Sequence, residues 1–187
     1  MSRWRPDAEG RLSRAAIALF EEQGYDQTTV AQIAEAAGLT KRTFFRYFSD
    51  KREVLFSGAH ELQQRWVAGI ETAPADAGPM VAVFAGLDGV AELFTDRYAF
   101  ARIRARVVAA NPELQERELI KLQSLAGAVQ AALVDRGVPA NAAILVAHAS
   151  VTVFHVAFAR WVDQDDPTAL RRLMDESLRD LRSAIAL

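Results

Sequence analysis

Residues 28–52 read TTVAQIAEAAGLTKRTFFRYFSDKR, and this stretch decides the fold. Thr29 with Gln32 three residues on makes a capping box, in which each side chain satisfies a free backbone N–H at the other's position. Val30, Ile33, Ala34 and Ala37 recur at helical spacing, and Gly38 stands where a left-handed C-cap residue belongs. Only Leu39 separates Gly38 from Thr40, which caps a second helix, KRTFFRYF. Asp50 and Glu53 supply a box-like start for a third. Two short helices across a tight Gly-containing turn predict a helix-turn-helix.

The second helix carries its chemistry at the front. Lys41, Arg42 and Thr43 fill its first turn, where a recognition helix presents side chains to base edges in the major groove. From Thr40 to Arg52 there are five basic residues (Lys41, Arg42, Arg46, Lys51, Arg52) against Asp50 alone. Cationic side chains and helix N-termini together favour phosphate. A surface αα-hairpin with solvated charges over a Phe44–Phe48 core fits the same spacing. It is the conjunction of cap, turn, basic front and aromatics that points to DNA.

The segment resembles the N-terminal domain of the tetracycline-repressor family of one-component regulators. The residues that carry the likeness are Thr29, Ile33, Ala34, Ala37, Gly38, Leu39, Thr40, Thr43, Tyr47, Phe48 and Lys51, within residues 11–57. Arg42 and Phe45 depart from the commoner pattern, which has a small residue and a tyrosine there. Loss of the phenol at Phe45 removes a phosphate hydrogen bond but leaves contact with a thymine methyl, and Arg42 adds a side chain able to read guanine. The resemblance implies Lys41, Arg42, Thr43 and Phe45 for bases, and Thr29, Thr40, Arg46, Tyr47 and Lys51 for phosphates of a palindromic double-stranded operator. It also implies a small-molecule effector in the body, a tilt of the helix that links body to head, and a homodimer formed by the last two helices.

Length and composition agree with this. The 187 residues allow one domain, or a small one and a larger one, and half of them are hydrophobic with a quarter charged. The net charge of −2 advertises no nucleic-acid partner. Residues 1–57, however, hold nine Lys/Arg and eight Asp/Glu, whereas the remainder holds 13 and 16. The positive side thus belongs to the predicted reading end. There is no cysteine, hence no disulfide framework or thiolate metal site. MSRWRPDAEG lacks an apolar h-region, so no secretory signal is read and cytoplasmic residence is expected.

Along the chain, residues 1–8 read as an untethered arm; the alternative is that Arg3 and Arg5 reach a minor groove. A first helix is predicted from Ala8 to Gln23, and Gly24 ends it. The helix opening at Asp50 is expected to continue to Glu71 and to carry the head, with His60 exposed on it. ETAPADAGP, residues 71–79, is the clearest break. Helices are predicted over Met80–Phe94, Asp96–Ala109 and, after the Asn111-Pro112 start signal, to Arg136. Arg102, Arg104 and Arg106 in the second of these either take an anionic ligand or pair with nearby acids.

Asn141 is expected to cap AAILVAHASVTVFHVAFARWV, which has no charge from Ala142 through Ala159. That length matches a membrane span, but two histidines, Ser150 and Thr152 interrupt it, no basic clusters flank it, and no membrane partner is expected. Such a helix is buried on all sides, which in a chain this small calls for a second subunit. A last helix is predicted from Thr168 to Ala186. His148 and His155 fall on one face with Thr152. They are core or interface residues, or they line an effector pocket with Trp66, Phe100 and Arg104, or they share a metal. About 10.5 Å of helical rise between them disfavours the last, and no metal or cofactor is expected.

No Gly-rich phosphate loop, HExxH or nucleophile elbow occurs, so no enzyme is expected. The expected architecture is all-α, with a three-helix helix-turn-helix DNA-binding domain over residues 1–57 and a helical effector-binding and dimerisation domain over 58–187. The rival is a dimeric helical protein that binds a small molecule or a partner and does not read DNA.

Overall fold

The computed structural model describes residues 7–185, so the arm with Arg3 and Arg5 lies outside the described residues. Every regular element among them is helical: α1 (Ala8–Gln23), α2 (Val30–Ala36), α3 (Lys41–Tyr47), a 3-10 turn (Glu53–Phe56), α4 (Ala59–Thr72), α5 (Pro79–Thr95), α6 (Tyr98–Ala109), α7 (Pro112–Asp135), α8 (Ala140–Val162) and α9 (Leu170–Ile185). They form two compact units. One runs to Gly58 and takes in Ile103–Gln115; the other comprises Ala59–Arg102 and the chain from Glu116 onward. The recruitment of Ile103–Gln115 into the first unit has no counterpart in the sequence reading.

In the first unit, local signals set the helix ends. Asp7 caps α1 by accepting from Gly10 N–H at 2.9 Å. The box on α2 is complete: Gln32 N–H donates to Thr29 Oγ1 at 3.3 Å, and Thr29 N–H to Gln32 Oε1 at 2.8 Å. Gly38, at φ 64°, turns the chain left-handed; its N–H reaches Glu35 O and that of Leu39 reaches Ala34 O, both at 2.8 Å. These two bonds are a Schellman motif, and they consume carbonyls that α2 would otherwise leave open.

The expected single helix from Asp50 to Glu71 is instead broken. Asp50 Oδ1 accepts from the N–H groups of Arg52 and Glu53, and a 3-10 turn follows. Ser57 Oγ then takes Val54 O at 3.1 Å, and Gly58 follows, so a competing hydroxyl and a poor helix former meet at one place. α4 begins afresh at Ala59.

The second unit is organised on Trp66 and Trp161, both fully buried. Phe154 lies edge-on to Trp66, and Phe94 packs against Phe154, Phe158 and Trp161. The Trp66 indole N–H donates to Val83 O at 3.0 Å, which removes the cost of burying it. α4 and α5 approach closely because glycines meet at their crossing. A Cβ on Gly69 would stand 2.3 Å from Gly86 Cα, and one on Gly86 only 2.4 Å from Trp66 O. Arg136 closes the C-terminus of α4 by donating to Ile70 O, Ala73 O and Pro74 O.

α8 differs from expectation in two ways. Pro139, not Asn141, holds its cap position, and no side chain caps it. Only one side is core: Ala143, Ala147, Val151, Phe154, Ala157 and Trp161 are buried, while Leu145 is 72% exposed. The helix is long and apolar enough to cross a membrane by length and composition, but that buried side belongs to this unit's own core. The last helix starts at Leu170, two residues later than expected, because Thr168 is held in a turn by Asp166.

Gly69→Ala is expected to destabilise the protein by about 1–3 kcal/mol, since backbone must move to admit the methyl. Gly89→Ala, whose Cβ meets only Arg65 Cβ at 3.9 Å, is expected to stabilise by about 0.5–1 kcal/mol. Urea unfolding followed by circular dichroism measures both, and the same sign for the two would contradict the crossing geometry.

Candidate nucleic-acid interface

α3 is seven residues long, and two aromatic side chains fasten it. Phe44 is fully buried and Phe48, one turn on, is 4% exposed. Thr40 caps it by accepting from Thr43 N–H at 3.2 Å, and the two hydroxyls lie 3.1 Å apart. At about 100° per residue, Lys41, Phe45, Arg42 and Arg46 then share an arc of about 140° turned away from Phe44. All four are exposed, and Phe45 is 56% exposed with its ring edge-on to Phe44. An aromatic ring left in water beside three cations, on a helix with no acid in its first turn, is a surface built for contact rather than for packing.

The neighbouring groups divide into free and committed. Arg46 lies over the Tyr47 ring at 5.0 Å and donates to its hydroxyl at 3.1 Å, which leaves the phenol proton available. Thr29 and Thr40 spend their hydroxyls on helix starts. Arg52 is held by Asp50 at 2.7 Å, and that guanidinium keeps the Asp50 carboxyl below the usual carboxylate range.

Lys51, expected on a phosphate, is engaged elsewhere. Its ammonium donates to Tyr25 O at 2.7 Å, to Thr28 O at 3.2 Å and, more weakly, to Asp26 O at 3.4 Å, and it sits 4.1 Å above the Tyr25 ring. Burial pushes the Tyr25 phenol up, so that ring stays neutral beneath the cation. An ammonium has three donors, and all three go to the loop between α1 and α2. Thr28, itself buried, tightens the same loop by donating to Gly24 O at 2.7 Å. No sequence signal marks this lock, because its acceptors are backbone carbonyls 23 to 26 residues away.

Of the six residues expected around an effector, the structure brings three together. His148, Thr152 and His155 line a groove of about 210 Å³ with Leu119, Leu122, Gln123, Ala126 and Val151. Trp66 is in the core, and Phe100 is half-buried outside the groove. Arg104 belongs to the first unit, where it donates to Leu55 O at 2.7 Å and covers the Phe56 ring. Its neighbours pair as the second reading had it: Arg102 with Asp165 at 2.9 Å, and Arg106 with Glu21 at 3.6 Å. The histidines are exposed, which excludes the core, and no cluster of three or more metal-ligating side chains occurs among the described residues.

Known proteins share both parts of the chain. Residues 12–57 match the family described as bacterial regulatory proteins, tetR family, and residues 77–186 match the MftR C-terminal domain. The transcriptional regulator TcmR of Streptomyces glaucescens is 42% identical over 73 residues, 39% of this chain and 32% of that protein. EthR of Mycolicibacterium smegmatis is 30% identical over 114 residues, 59% of this chain and 52% of its own. The matches thus span a third to a half of the length of these curated relatives. Among solved structures, the fold is similar to that of Thermus thermophilus FadR in complex with lauroyl-CoA, at a TM-score of 0.54, 19% identity, and coverage of 96% of this chain and 95% of that one.

Lys51→Met is expected to cost about 1–3 kcal/mol of stability by leaving loop carbonyls without their charged donor. Denaturant midpoints measure this, and an unchanged midpoint would mean that the ammonium is not committed to the loop.

Proposed function

The chain belongs to the tetR family of bacterial regulatory proteins, and on that premise we propose that it reads a palindromic operator as a homodimer and represses transcription until a small-molecule effector releases it. The observation that carries this reading is the exposed arc of Lys41, Arg42, Phe45 and Arg46 on a helix whose other side is anchored by Phe44 and Phe48. Residues 1–57 form the reading head, 58–187 the effector-binding and dimerisation body. A regulator that binds operator DNA would act in the cytoplasm.

Lys41, Arg42, Thr43 and Phe45 face bases; Arg46 and Tyr47 face phosphates. Thr29 and Thr40 act at the phosphates through the helix starts they hold. Lys51 holds the loop between α1 and α2 and so steadies the packing within the head. Two heads on a twofold axis read half-sites about 34–36 Å apart, or a multiple of that. An effector that favours a different head spacing lowers operator affinity by its coupling free energy, about 1–3 kcal/mol. That FadR is solved with lauroyl-CoA supports an effector of some kind for this body and says nothing of which.

Selection of bound sequences from random duplex DNA tests the reading. A palindromic consensus with salt-dependent affinity is expected, and equal indifference to every duplex at low salt would overturn it. On the selected site, Arg42→Ala is expected to relax preference at one position and cost about 1–3 kcal/mol. Arg46→Ala is expected to weaken all sequences alike and lower the salt slope by about one.

A further inference from the structure

We propose that Phe45 reads the 5-methyl group of a pyrimidine in the major groove. Each half-site then holds a thymine at one fixed position, and methylation of a cytosine placed there strengthens binding. The proposal deepens the operator reading above and rests on it. Within the exposed arc of α3, helical geometry puts Phe45 between Lys41, one turn before it, and Arg42, three residues before it. The ring therefore sits inside the arc, with a cation on either side, and not at its edge. It is 56% exposed, while Phe44 and Phe48 already fill the core side. The core has its two rings without it.

A phenyl ring has no donor and no acceptor, so it takes no part in the hydrogen-bond code of the base edges. Set against a polar group of a base, it displaces water and gives nothing back, which is a cost. The 5-methyl of thymine is the apolar group that the major groove offers, and burying it against the ring is a gain. In 5-methylcytosine the same methyl stands at the same place. Uracil and cytosine lack it, yet keep every hydrogen-bonding group of their methylated forms.

The ring is held ready for such a contact. It stands edge-on to Phe44, with centroids 5.5 Å apart and planes at 81°, and Phe44 itself is fully buried. A side chain steadied beforehand loses less freedom on binding. The other exposed ring of α3 belongs to Tyr47 and is differently equipped: Arg46 lies over it at 5.0 Å and donates to its hydroxyl at 3.1 Å. Tyr47 thus joins ring, phenol and cation in one polar group suited to phosphate, and Phe45 is left as the apolar one. The two aromatic side chains divide the duplex between them, backbone to Tyr47 and base edge to Phe45.

The test uses the full chain and the duplex recovered by selection. Thymines are replaced by deoxyuridine one symmetric pair at a time, which removes the methyl and leaves the pairing and the polar edge groups intact. The unaltered protein is expected to lose about fourfold per methyl at one position in each half-site, hence about fifteenfold for the pair, as for one buried carbon each. That ratio is expected to hold as salt is raised, although the affinity itself falls, because burying a methyl releases no counterion. With cytosine put at the same position, 5-methylation is expected to bring a gain of the same size. Phe45→Ala, checked for fold by circular dichroism, is expected to abolish both ratios, and Phe45→Leu to keep them. A selected site without a fixed thymine, deoxyuridine tolerated at every position, a methyl effect that survives in Phe45→Ala, or 5-methylcytosine bound no better than cytosine would each overturn the proposal and leave the regulator reading standing. A chain indifferent to every duplex sinks both.

Discussion

The burial of Phe44 and Phe48 is the constraint on which the reading head depends. A helix of seven residues has no independent stability in water, because isolated helices shorter than about 12–15 residues are marginal even with good formers. α3 therefore exists only as far as tertiary packing holds it. Two phenylalanines one turn apart, each worth about 1.5–3 kcal/mol on full burial, supply that hold against α1 and α2. Once they are inside, helical geometry leaves Lys41, Arg42, Phe45 and Arg46 no choice but to face outward. The chemistry of the exposed arc is thus a consequence of where the anchors sit, and the one exposed ring in it, Phe45, is meaningful because the two buried ones already satisfy the core.

Legibility follows the range of the interactions. The Thr29–Gln32 box, the Thr40 cap and the left-handed Gly38 each act over three to five residues, so the residues that make the contact are visible side by side in the chain. The helix-turn-helix was readable for that reason. The role of Lys51 was not. Its partners are main-chain oxygens of a loop more than twenty residues earlier, and a carbonyl has no residue identity to recognise. The interruption after Phe56 escaped for a different reason. Apolar residues continue at helical spacing through Val54, Leu55 and Phe56, and only the bond from Ser57 to Val54 O, with Gly58 next, shows that the period does not carry across.

In the body, composition narrowed the choices without selecting one. Three arginines on α6 looked alike in sequence, yet one ends on an aspartate, one on a glutamate, and the one between them on a backbone carbonyl and an aromatic ring. Their fates are set by what the fold brings opposite them. Trp66 and His148 were likewise grouped by chemistry alone. A tryptophan whose N–H finds a carbonyl in the core has nothing left to offer a ligand, whereas a histidine on an open face does.

The uncharged run of α8 was the most ambiguous segment, since a core helix, a membrane span and an interface helix all lack charge. Resolving it by face removes the ambiguity. The core side alternates small with large: Ala143 and Ala147 admit close neighbours at one end, while Phe154 and Trp161 fill the aromatic cluster at the other. The outer side has none of that shape matching within the chain, yet it also has none of the charge that exposed helix faces normally carry. A face that water alone was to cover would gain solubility from lysine or glutamate at no cost to packing. The core explains the absence of charge on the packed side of that helix, and it does not explain the absence on the outer side, which sets that face apart from an ordinary solvated helix face.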